Sequence, residues 1–263
     1  MIEINKIYNE DCYKGIMVLR ILGIRPNLII TDPPYEFEAM GGGIHRVGRG
    51  VVKYQNIIDA GTNHFDFDKY VPLILDLQGE GVNAYFFCNK TLLPRYLSEA
   101  VKRGLNYDVL AIRKLNPIPA KSSSYMPELE YIVFLRSPGA YFNGTLNAKY
   151  YKKIYDKNIG KENVHHPNVK PKGLMRQFLM VSSKEDDLIL DPFIGSGTTA
   201  VACKELNRRF IGFETENKWI DIANKRLKQE TLSKETLSIY TEATQKEVDD
   251  KIDEEVFKQT GGN

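Results

Sequence analysis

The chain has little of what marks secreted, membrane-bound or metal-stabilised proteins. Its 263 residues include three cysteines, which form no Cys-x-x-Cys pair and accompany no histidine cluster at zinc-ligand spacing. No apolar run approaches the roughly 20 residues that span a bilayer, and the first residues lack the basic-then-apolar order of a secretory signal. We therefore expect a cytoplasmic protein without disulfides, bound metal or membrane contact.

Net charge is also small, because 36 basic residues face 34 acidic ones in a chain that is 42% hydrophobic. These values are typical of a soluble globular protein. The charge is unevenly distributed: residues 241–260 hold seven acidic and three basic side chains, whereas 136–162 hold six basic and two acidic ones among five aromatic rings. The latter mixture suits a polyanion with stackable bases, although a solvated loop would have the same composition.

Apolar runs that alternate with helical patterns predict a doubly wound α/β fold with one central sheet. The predicted strands lie at 28–30, 82–87, 107–112, 130–135, 188–190 and 210–213. The predicted helices lie at 13–22, 67–78, 91–103, 171–182, 198–206 and 217–229. We expect one domain over 1–230, with irregular insertions at about 36–65 and 137–164. An acidic helical tail is expected over 231–263.

The first candidate loop, Thr31-Asp32-Pro33-Pro34-Tyr35, directly follows the predicted strand at 28–30. Ligands of open α/β sheets bind beyond the carboxyl ends of the strands, so a site is expected here. The prolines withhold two N–H donors, which leaves carbonyl acceptors beside the Asp32 carboxylate and the flat Tyr35 ring. This group suits an exocyclic amino group on a planar base, although a proline turn that only closes a strand has the same sequence.

The second candidate loop lies in Leu188–Ala200, where a predicted strand runs into glycines and then a helix. Gly195-x-Gly197 permits close backbone approach to a ligand, and Glu214 follows about 20 residues later, where a carboxylate binds ribose in adenosine cofactor sites. No lysine follows Gly197, which argues against the phosphate loop of nucleotide hydrolases. NAD fits the glycines equally well, but hydride transfer requires neither Asp191-Pro192-Phe193 nor the Asp32 loop.

Together the loops resemble the amino-methyltransferases that modify DNA with S-adenosylmethionine, and the order of Asp32 before Asp191 resembles their beta group. Further segments occur in the family's order: Asn9-Glu10-Asp11-Cys12; Arg113-Lys114-Leu115-Asn116-Pro117 with Glu128 and Glu130; His166-Pro167-Asn168-Val169-Lys170-Pro171; Ile211-Gly212-Phe213-Glu214 with Ala223-x-x-Arg226-Leu227. Glu10 replaces the family's usual glycine, and the tryptophan of Trp-x-Lys-x-Asn is missing. The resemblance covers about 5–230 and implies a circularly permuted, Rossmann-like sheet, mostly parallel with one antiparallel strand.

The resemblance also implies roles for individual residues. Catalysis falls to Asp32, Pro33, Pro34 and Tyr35, with Asp32 and the Pro33 carbonyl accepting amino hydrogens of an extruded base and Tyr35 stacking on its ring. S-adenosylmethionine is bound by residues from four segments: Asp11, Cys12, Lys170, Asp191, Phe193, Gly195, Ser196, Gly197, Thr198, Thr199 and Glu214. Lys170 is assigned to the methionine carboxylate, whereas Asp11 fits an adenine contact or a helix cap equally well.

Basic residues of the irregular stretches and of the Lys114 segment are expected to bind double-stranded DNA at the nucleoid: Arg46, Arg49, Lys53, Lys114, Lys149, Lys152 and Lys153. The recognition region is small, so we expect a short target, with a homodimer and a restriction endonuclease as further partners to test. Asp at the first motif position usually accompanies adenine in this family. The predicted activity is therefore that of a site-specific, adenine-N6 DNA methyltransferase.

Four alternatives remain open from the sequence. Cytosine N4 is the other exocyclic amino group that this family methylates. The same chemistry on RNA or on a protein glutamine amide also uses Pro-Pro-aromatic loops. A nicotinamide-dependent oxidoreductase would fit the glycines alone. A catalytically inactive nucleic-acid-binding protein is disfavoured because Asp32 and Tyr35 are both present.

Overall fold

The computed structural model describes residues 2–34, 45–47, 50–52, 65–117, 125–158 and 170–232. Within these ranges, eight strands form one sheet in the order β1-β10-β9-β2-β5-β7-β6-β8, and β3 pairs with β4 as a separate hairpin. The strands are β1 Lys6–Asn9, β2 Leu28–Thr31, β3 His45–Val47, β4 Gly50–Val52, β5 Asn83–Cys88, β6 Asn106–Lys114, β7 Leu129–Arg136, β8 Ile154–Lys157, β9 Leu188–Asp191 and β10 Arg209–Glu214.

Helices cover both faces of the sheet, as the alternating pattern predicts. The described α-helices are α1 Cys12–Ile21, α2 Phe67–Leu77, α3 Leu93–Lys102, α4 Lys172–Ser182, α5 Thr198–Glu205 and α6 Asn217–Leu232. Buried residues of α1, α2 and α3 pack with one set of strand residues, including Ile29 and Phe86. Buried residues of α4, α5 and α6 pack with the alternate set, including Ile30 and Phe87. The doubly wound α/β fold is thus confirmed, because adjacent strand residues face opposite helical layers.

The strand order reverses between β2 and β9. The chain leaves β2 through α2 towards β5 on one side, and it leaves β9 through α5 towards β10 on the other. The two strands are parallel neighbours, with Leu28 opposite Ile189 and Ile29 opposite Leu190. Their carboxyl ends therefore flank a topological switch point, where open α/β sheets form their ligand crevice.

One strand of the described sheet, β7, runs against both of its neighbours. Its first residues therefore lie at the carboxyl edge of the sheet, the edge at which the other strands end. Glu130 is the second residue of β7 and is followed by the buried run Ile132–Leu135. The predicted antiparallel strand is confirmed, and it brings Glu130 towards the switch point.

The sequence patterns did not predict two strands of this sheet. The expectation of an irregular stretch at 137–164 is wrong at Ile154–Lys157, which pair with β6 as the edge strand β8. Strand β1 pairs with β10, from Lys6 opposite Ile211 to Asn9 opposite Glu214. Both strands are four residues long and half of their residues are exposed, so neither contains the apolar run by which buried strands are recognised. None of the helices in the described ranges combines the length and hydropathy needed to cross a membrane.

Candidate active site

The two predicted loops lie side by side at the switch point. Asp32 directly follows β2, and Asp191 is the last residue of β9. Neighbouring strands are about 4.8 Å apart, so the two loops leave the sheet at the same edge and in adjacent positions. Asp32 is near enough that its charge contributes to raising the pKa of Asp191, after the larger effect of burial. The sequence prediction that both loops belong to one site requires this adjacency.

Asp191 ties the end of β9 to the first turn of α5. One carboxylate oxygen accepts the backbone N–H of Phe193 at 3.2 Å, and the other accepts the hydroxyl of Thr199 at 2.6 Å. Burial raises the pKa of Asp191 to about 7, because the hydrogen bonds from Thr199 and Phe193 only partly offset the loss of solvation. The carboxyl group therefore braces the cofactor loop, residues 191–198, from within.

The glycines of the cofactor loop adopt backbone conformations that other residues rarely use. Gly195 and Gly197 have φ values of +51° and +79°. A Cβ on Gly197 would lie 2.6 Å from the Cβ of Ala223, so glycine permits α5 to begin directly against α6. The guanidinium of Arg226 donates to the Ser196 carbonyl at 2.6 Å and to the Thr198 hydroxyl at 3.2 Å. The loop is thus held from α6 as well as from β9.

Glu214 and Asp11 come together because β1 and β10 are paired and end at the same edge. The Glu10 N–H donates to the Glu214 carbonyl at 3.1 Å. The Glu214 carboxylate accepts the N–H groups of Thr215 and Glu216 at 2.8 and 2.9 Å, and burial raises its pKa. Asp11 caps α1 by accepting the Tyr13 N–H at 3.0 Å. The helix-cap role of Asp11 is therefore confirmed, and its contact with adenine stays a prediction.

Cys12 and Phe193 contribute apolar surface to this edge. The Cys12 thiol is buried, and burial together with the neighbouring Asp11 carboxylate raises its pKa to about 12. Phe193 is half-buried, and its ring centroid lies 5.7 Å from that of Phe65 in an edge-on contact. Close-approach glycines, a carboxylate suited to ribose hydroxyls and an aromatic wall together match the groups that an adenosine cofactor presents.

Lys170 lies at the diproline corner, Asp32–Pro34. Its Nζ is 3.0 Å from an Asp32 carboxylate oxygen, it also contacts the Glu130 carboxylate, and it lies 4.8 Å from the centroid of the Phe87 ring. Burial alone would lower the pKa of Lys170, but the two carboxylates outweigh that effect and raise it. Lys170 is therefore a charged link between Asp32 and Glu130, with 11% of its side chain exposed.

Glu130 was not among the residues proposed for the site from the sequence. It lies in an apolar strand, far along the chain from both Asp32 and Lys170, and no local spacing connects the three. The available signal was a carboxylate at the start of a strand within the segment that resembles Trp-x-Lys-x-Asn. Because β7 runs antiparallel to its neighbours, Glu130 lies at the carboxyl edge of the sheet, where it contacts Lys170.

The described DNA-binding candidates lie on the far side of the sheet from the cofactor loop. Lys114 ends β6, and its backbone N–H donates to the Glu128 carbonyl at 2.7 Å. Lys149 lies in the 3₁₀-helix Ala148–Tyr151, and Lys152 and Lys153 directly precede β8, which is four strands from β2 and so roughly 19 Å away. Lys153 forms an ion pair with Asp108. These lysines therefore do not line the diproline corner.

Several predicted residues lie outside the described part of the chain. Tyr35, Arg49 and Lys53 belong to this group, as does the side chain of Arg46, whose backbone forms part of β3. The segment 166–169 and most of the acidic tail also lie outside it. Within the described residues, no group of three or more potential metal ligands comes together.

The sheet, its switch point and the two adjacent loops have the arrangement expected of an S-adenosylmethionine-dependent methyltransferase. The chain belongs to the N6_N4_Mtase family, described as DNA methylase, whose model matches residues 27–225. The type II methyltransferase M2.DpnII of Streptococcus pneumoniae is 38% identical over 226 residues, which cover 78% of this chain and 83% of that protein. M.HinfI of Haemophilus influenzae is 26% identical over 251 residues, which cover 86% of this chain and 69% of that protein.

Solved structures show the same fold. The complex of M1.HpyAVI with S-adenosylmethionine superposes with a TM-score of 0.62 and 26% identity, covering 84% of this chain and 99% of that one. The cytosine-N4-specific PvuII DNA methyltransferase superposes with a TM-score of 0.60 over 93% of this chain and 90% of that one, and its 13% identity shows the fold alone. The protein is accordingly a DNA amino-methyltransferase of the N6/N4 family that uses S-adenosylmethionine.

Proposed function

We propose that the protein methylates the exocyclic N6 amino group of adenine within a short target in double-stranded DNA. The observation that carries this proposal is the position of Asp32 beside the cofactor loop, at the carboxyl ends of the parallel neighbours β2 and β9. The choice of adenine is supported by the aspartate at the first position of the Asp-Pro-Pro-Tyr motif. Cytosine N4 is the other acceptor in this family and an explicit outcome of the test below.

Asp32 and Pro33 supply the acceptors that the reaction needs. An exocyclic amino nitrogen is a poor nucleophile because its lone pair is delocalised into the ring. If the Asp32 carboxylate and the Pro33 carbonyl each accept one amino hydrogen, they favour a pyramidal nitrogen and stabilise the positive charge that develops there. Bound S-adenosylmethionine supplies an electrophilic methyl group on a positively charged sulfur. The remaining contribution of the protein is to hold the base in line.

The cofactor loop and the ends of β1 and β10 are proposed to hold S-adenosylmethionine. Glu214 would bind the ribose hydroxyls, and the Gly195–Gly197 turn would let the cofactor approach the backbone. Asp11 and Phe193 would flank the adenine ring of the cofactor. Lys170 contacts two carboxylates of the protein, so any interaction with the methionine carboxylate would add to those contacts.

The DNA surface is proposed to extend from the diproline corner past the end of β6 to the residues that precede β8. Tyr35 would stack on the extruded base and offset part of the few kcal/mol lost on unstacking. Lys114 lies at the carboxyl edge, whereas Lys149, Lys152 and Lys153 would meet phosphates farther along the duplex. DNA affinity should accordingly fall steeply as salt concentration rises, because phosphate counterions are released on binding.

The decisive test is Asp32→Ala with labelled S-adenosylmethionine and duplex DNA, followed by mass spectrometry of the digested nucleosides. We expect kcat to fall by at least about 10²–10³-fold, because the charged acceptor is lost. Cofactor affinity measured by calorimetry should change little. Asp76→Ala is the matched control, since the Asp76 carboxylate lies near the end of α2 and pairs with Arg103, outside the site. Wild-type turnover in Asp32→Ala would contradict the mechanism, and N4-methylcytosine as product would contradict the choice of adenine.

A further inference from the structure

A second carboxylate lies behind the diproline corner and shares its lysine. Glu130 enters from β7, Lys170 from the residues before α4, and Asp32 from the end of β2. The side chains are 19%, 11% and 24% exposed, so water screens the cluster less than it screens a surface ion pair. Three segments distant in the sequence thus place three charges together at the point where the base is proposed to enter.

The charge of this cluster matches the proposed reaction. Two carboxylates and one ammonium leave one net negative charge where positive charge develops on the amino nitrogen. An ammonium paired with Asp32 alone would neutralise that carboxylate and weaken it as a hydrogen-bond acceptor. When a second carboxylate pairs with the same ammonium, the ammonium neutralises less of the negative charge of the first carboxylate. This effect is larger in a partly buried site than in water.

The other titratable groups described near Asp32 have pKa values that burial raises. Burial raises the pKa of the Cys88 thiol to about 12 and the pKa of the Tyr96 phenol well above its ordinary value, so both are neutral near pH 7. Burial also raises the pKa of Asp191, to about 7. Within the described residues, the titratable groups close to Asp32 on the surrounding elements include Lys170 before α4, Glu130 in β7, Cys88 in β5, Tyr96 in α3 and Asp191 in β9.

We propose that Glu130 is a positioning residue for methyl transfer: through Lys170, it holds the Asp32 carboxylate in place and preserves its strength as an acceptor of the amino hydrogens. Glu130 acts through Lys170 and need not touch the base. The inference rests on the proposed role of Asp32. It also gives Lys170 a function within the catalytic corner, in addition to the cofactor contact that the family resemblance implies.

Glu130→Gln tests the inference, because it removes the charge and keeps the shape. We expect kcat to fall by about 10- to 100-fold as Asp32 loses its setting. The KM for DNA and the Kd for S-adenosylmethionine should stay within about twofold, since Glu130 is proposed to act through Lys170 and to contact neither ligand. Removing a like charge near Asp32 favours its ionised form, so the acid limb of the kcat–pH profile should move to lower pH.

Lys170→Met should shift the same limb in the opposite direction. Without the ammonium, Asp32 faces Glu130 with no cation between them, and like-charge repulsion favours the protonated acid. The acid limb should then move to higher pH, while Glu130→Asp should recover part of the rate because it keeps the charge. These opposite shifts follow from the charges alone, so the result that separates a positioning role from a purely structural one is a lower kcat in folded Glu130→Gln with an unchanged KM for DNA.

Glu205→Gln is the matched control, because Glu205 is a buried carboxylate that forms ion pairs outside the diproline corner, with two cations. It lies 2.6 Å from Lys172 Nζ and 2.5 Å from Arg176 Nε and joins α4 to α5, so its loss should lower the Tm without moving the kcat–pH profile. A Glu130→Gln variant that folds and keeps either the wild-type rate or the wild-type acid limb overturns the inference.

If Glu130→Gln fails to fold, the Glu130→Asp and Lys170→Met profiles decide, and an unmoved limb in Lys170→Met overturns the inference. These outcomes do not test the proposed function, which is tested by whether Asp32→Ala retains turnover. Loss of turnover in Asp32→Ala together with a normal Glu130→Gln variant would reject only the positioning role.

Discussion

The two loops at the switch point are built in different ways. The cofactor loop after β9 is fixed locally by the Phe193 N–H and the Thr199 hydroxyl, which both donate to Asp191, and by Arg226 from α6, which donates to the Ser196 carbonyl. The corner after β2 has two prolines and an ion pair with Lys170, which comes from a different part of the chain. The cofactor loop is therefore held by contacts that form when β9, α5 and α6 fold. The position of the corner depends instead on its ion pair with Lys170.

This difference separates stability from turnover. Substitutions in the cofactor loop should change the free energy of unfolding and the cofactor affinity together. Substitutions at the diproline corner should change kcat with a small effect on stability. Stability and kinetics measured on the same variants can therefore break or sharpen the contrast between the loops.

Gly197→Ala should have the largest effect on stability. An alanine at φ +79° is strained, and its Cβ would lie 2.6 Å from the Cβ and 3.2 Å from the Cα of Ala223, so α5 and α6 must move apart. We expect the free energy of unfolding to fall by roughly 2–5 kcal/mol and the Kd for S-adenosylmethionine to rise. Urea denaturation and calorimetry measure the two.

The control for Gly197→Ala is Gly23→Ala, at φ +67° with no atom within 4 Å of the added Cβ. It should cost only the backbone strain, roughly 1–2 kcal/mol, and leave cofactor affinity unchanged. Equal losses of stability in the two variants would show that packing against Ala223 contributes nothing.

Asp191→Asn should change how stability depends on pH. Burial raises the pKa of Asp191 from 3.8 to about 7 in the folded protein, so the folded state keeps a proton that the unfolded chain releases near pH 4. The contribution of this group to wild-type stability therefore falls as pH rises from about 4 to 7 and is constant above that window. Asparagine has no such proton, so the variant should gain on wild type by up to roughly 4 kcal/mol across the window. A difference that stays constant from pH 4 to 8 in urea denaturation would contradict this.

Pro34→Ala should have the smallest effect on stability. Pro34 is half-buried, and its replacement mainly frees the backbone of the unfolded chain and of the corner. We expect the free energy of unfolding to stay within about 1 kcal/mol of wild type, while kcat falls several-fold because the carbonyl acceptors are held less firmly. A loss of stability as large as that of Gly197→Ala would remove the contrast between the two loops.

Most of the sheet could be predicted because its central strands are buried on both faces. The runs at 28–30, 82–87, 130–135, 188–190 and 210–213 become β2, β5, β7, β9 and β10, whose apolar stretches stand out in any window. The outer strands β1 and β8 could not be recognised, because half-exposed edge strands of four residues carry polar side chains. Burial, which produces the apolar pattern, is weak at both positions.

The site could be predicted as far as each part lay within one segment. The Asp32 loop and the glycine turn each follow a predicted strand, so their shared edge follows from the parallel sheet. The contacts of Glu130 with Lys170 and of Arg226 with Ser196 join separate segments, and they depend on strand direction and helix packing. Strand direction and helix packing leave no local pattern in the sequence, so these contacts could be identified only in the structure.

Pairing of β1 with β10 affects the order in which the molecule can form during synthesis. Lys6–Asn9 find their partners in Arg209–Glu214, and the Asn5 N–H donates to the Phe210 carbonyl at 2.7 Å. About 200 residues separate the two strands, which a ribosome adds in roughly 10–40 s. The outer strand β1 therefore has no strand partner until β10 has emerged. The edge that holds Glu214 is among the last parts of the sheet to form, so a cofactor site that includes Glu214, as proposed, is completed late in synthesis.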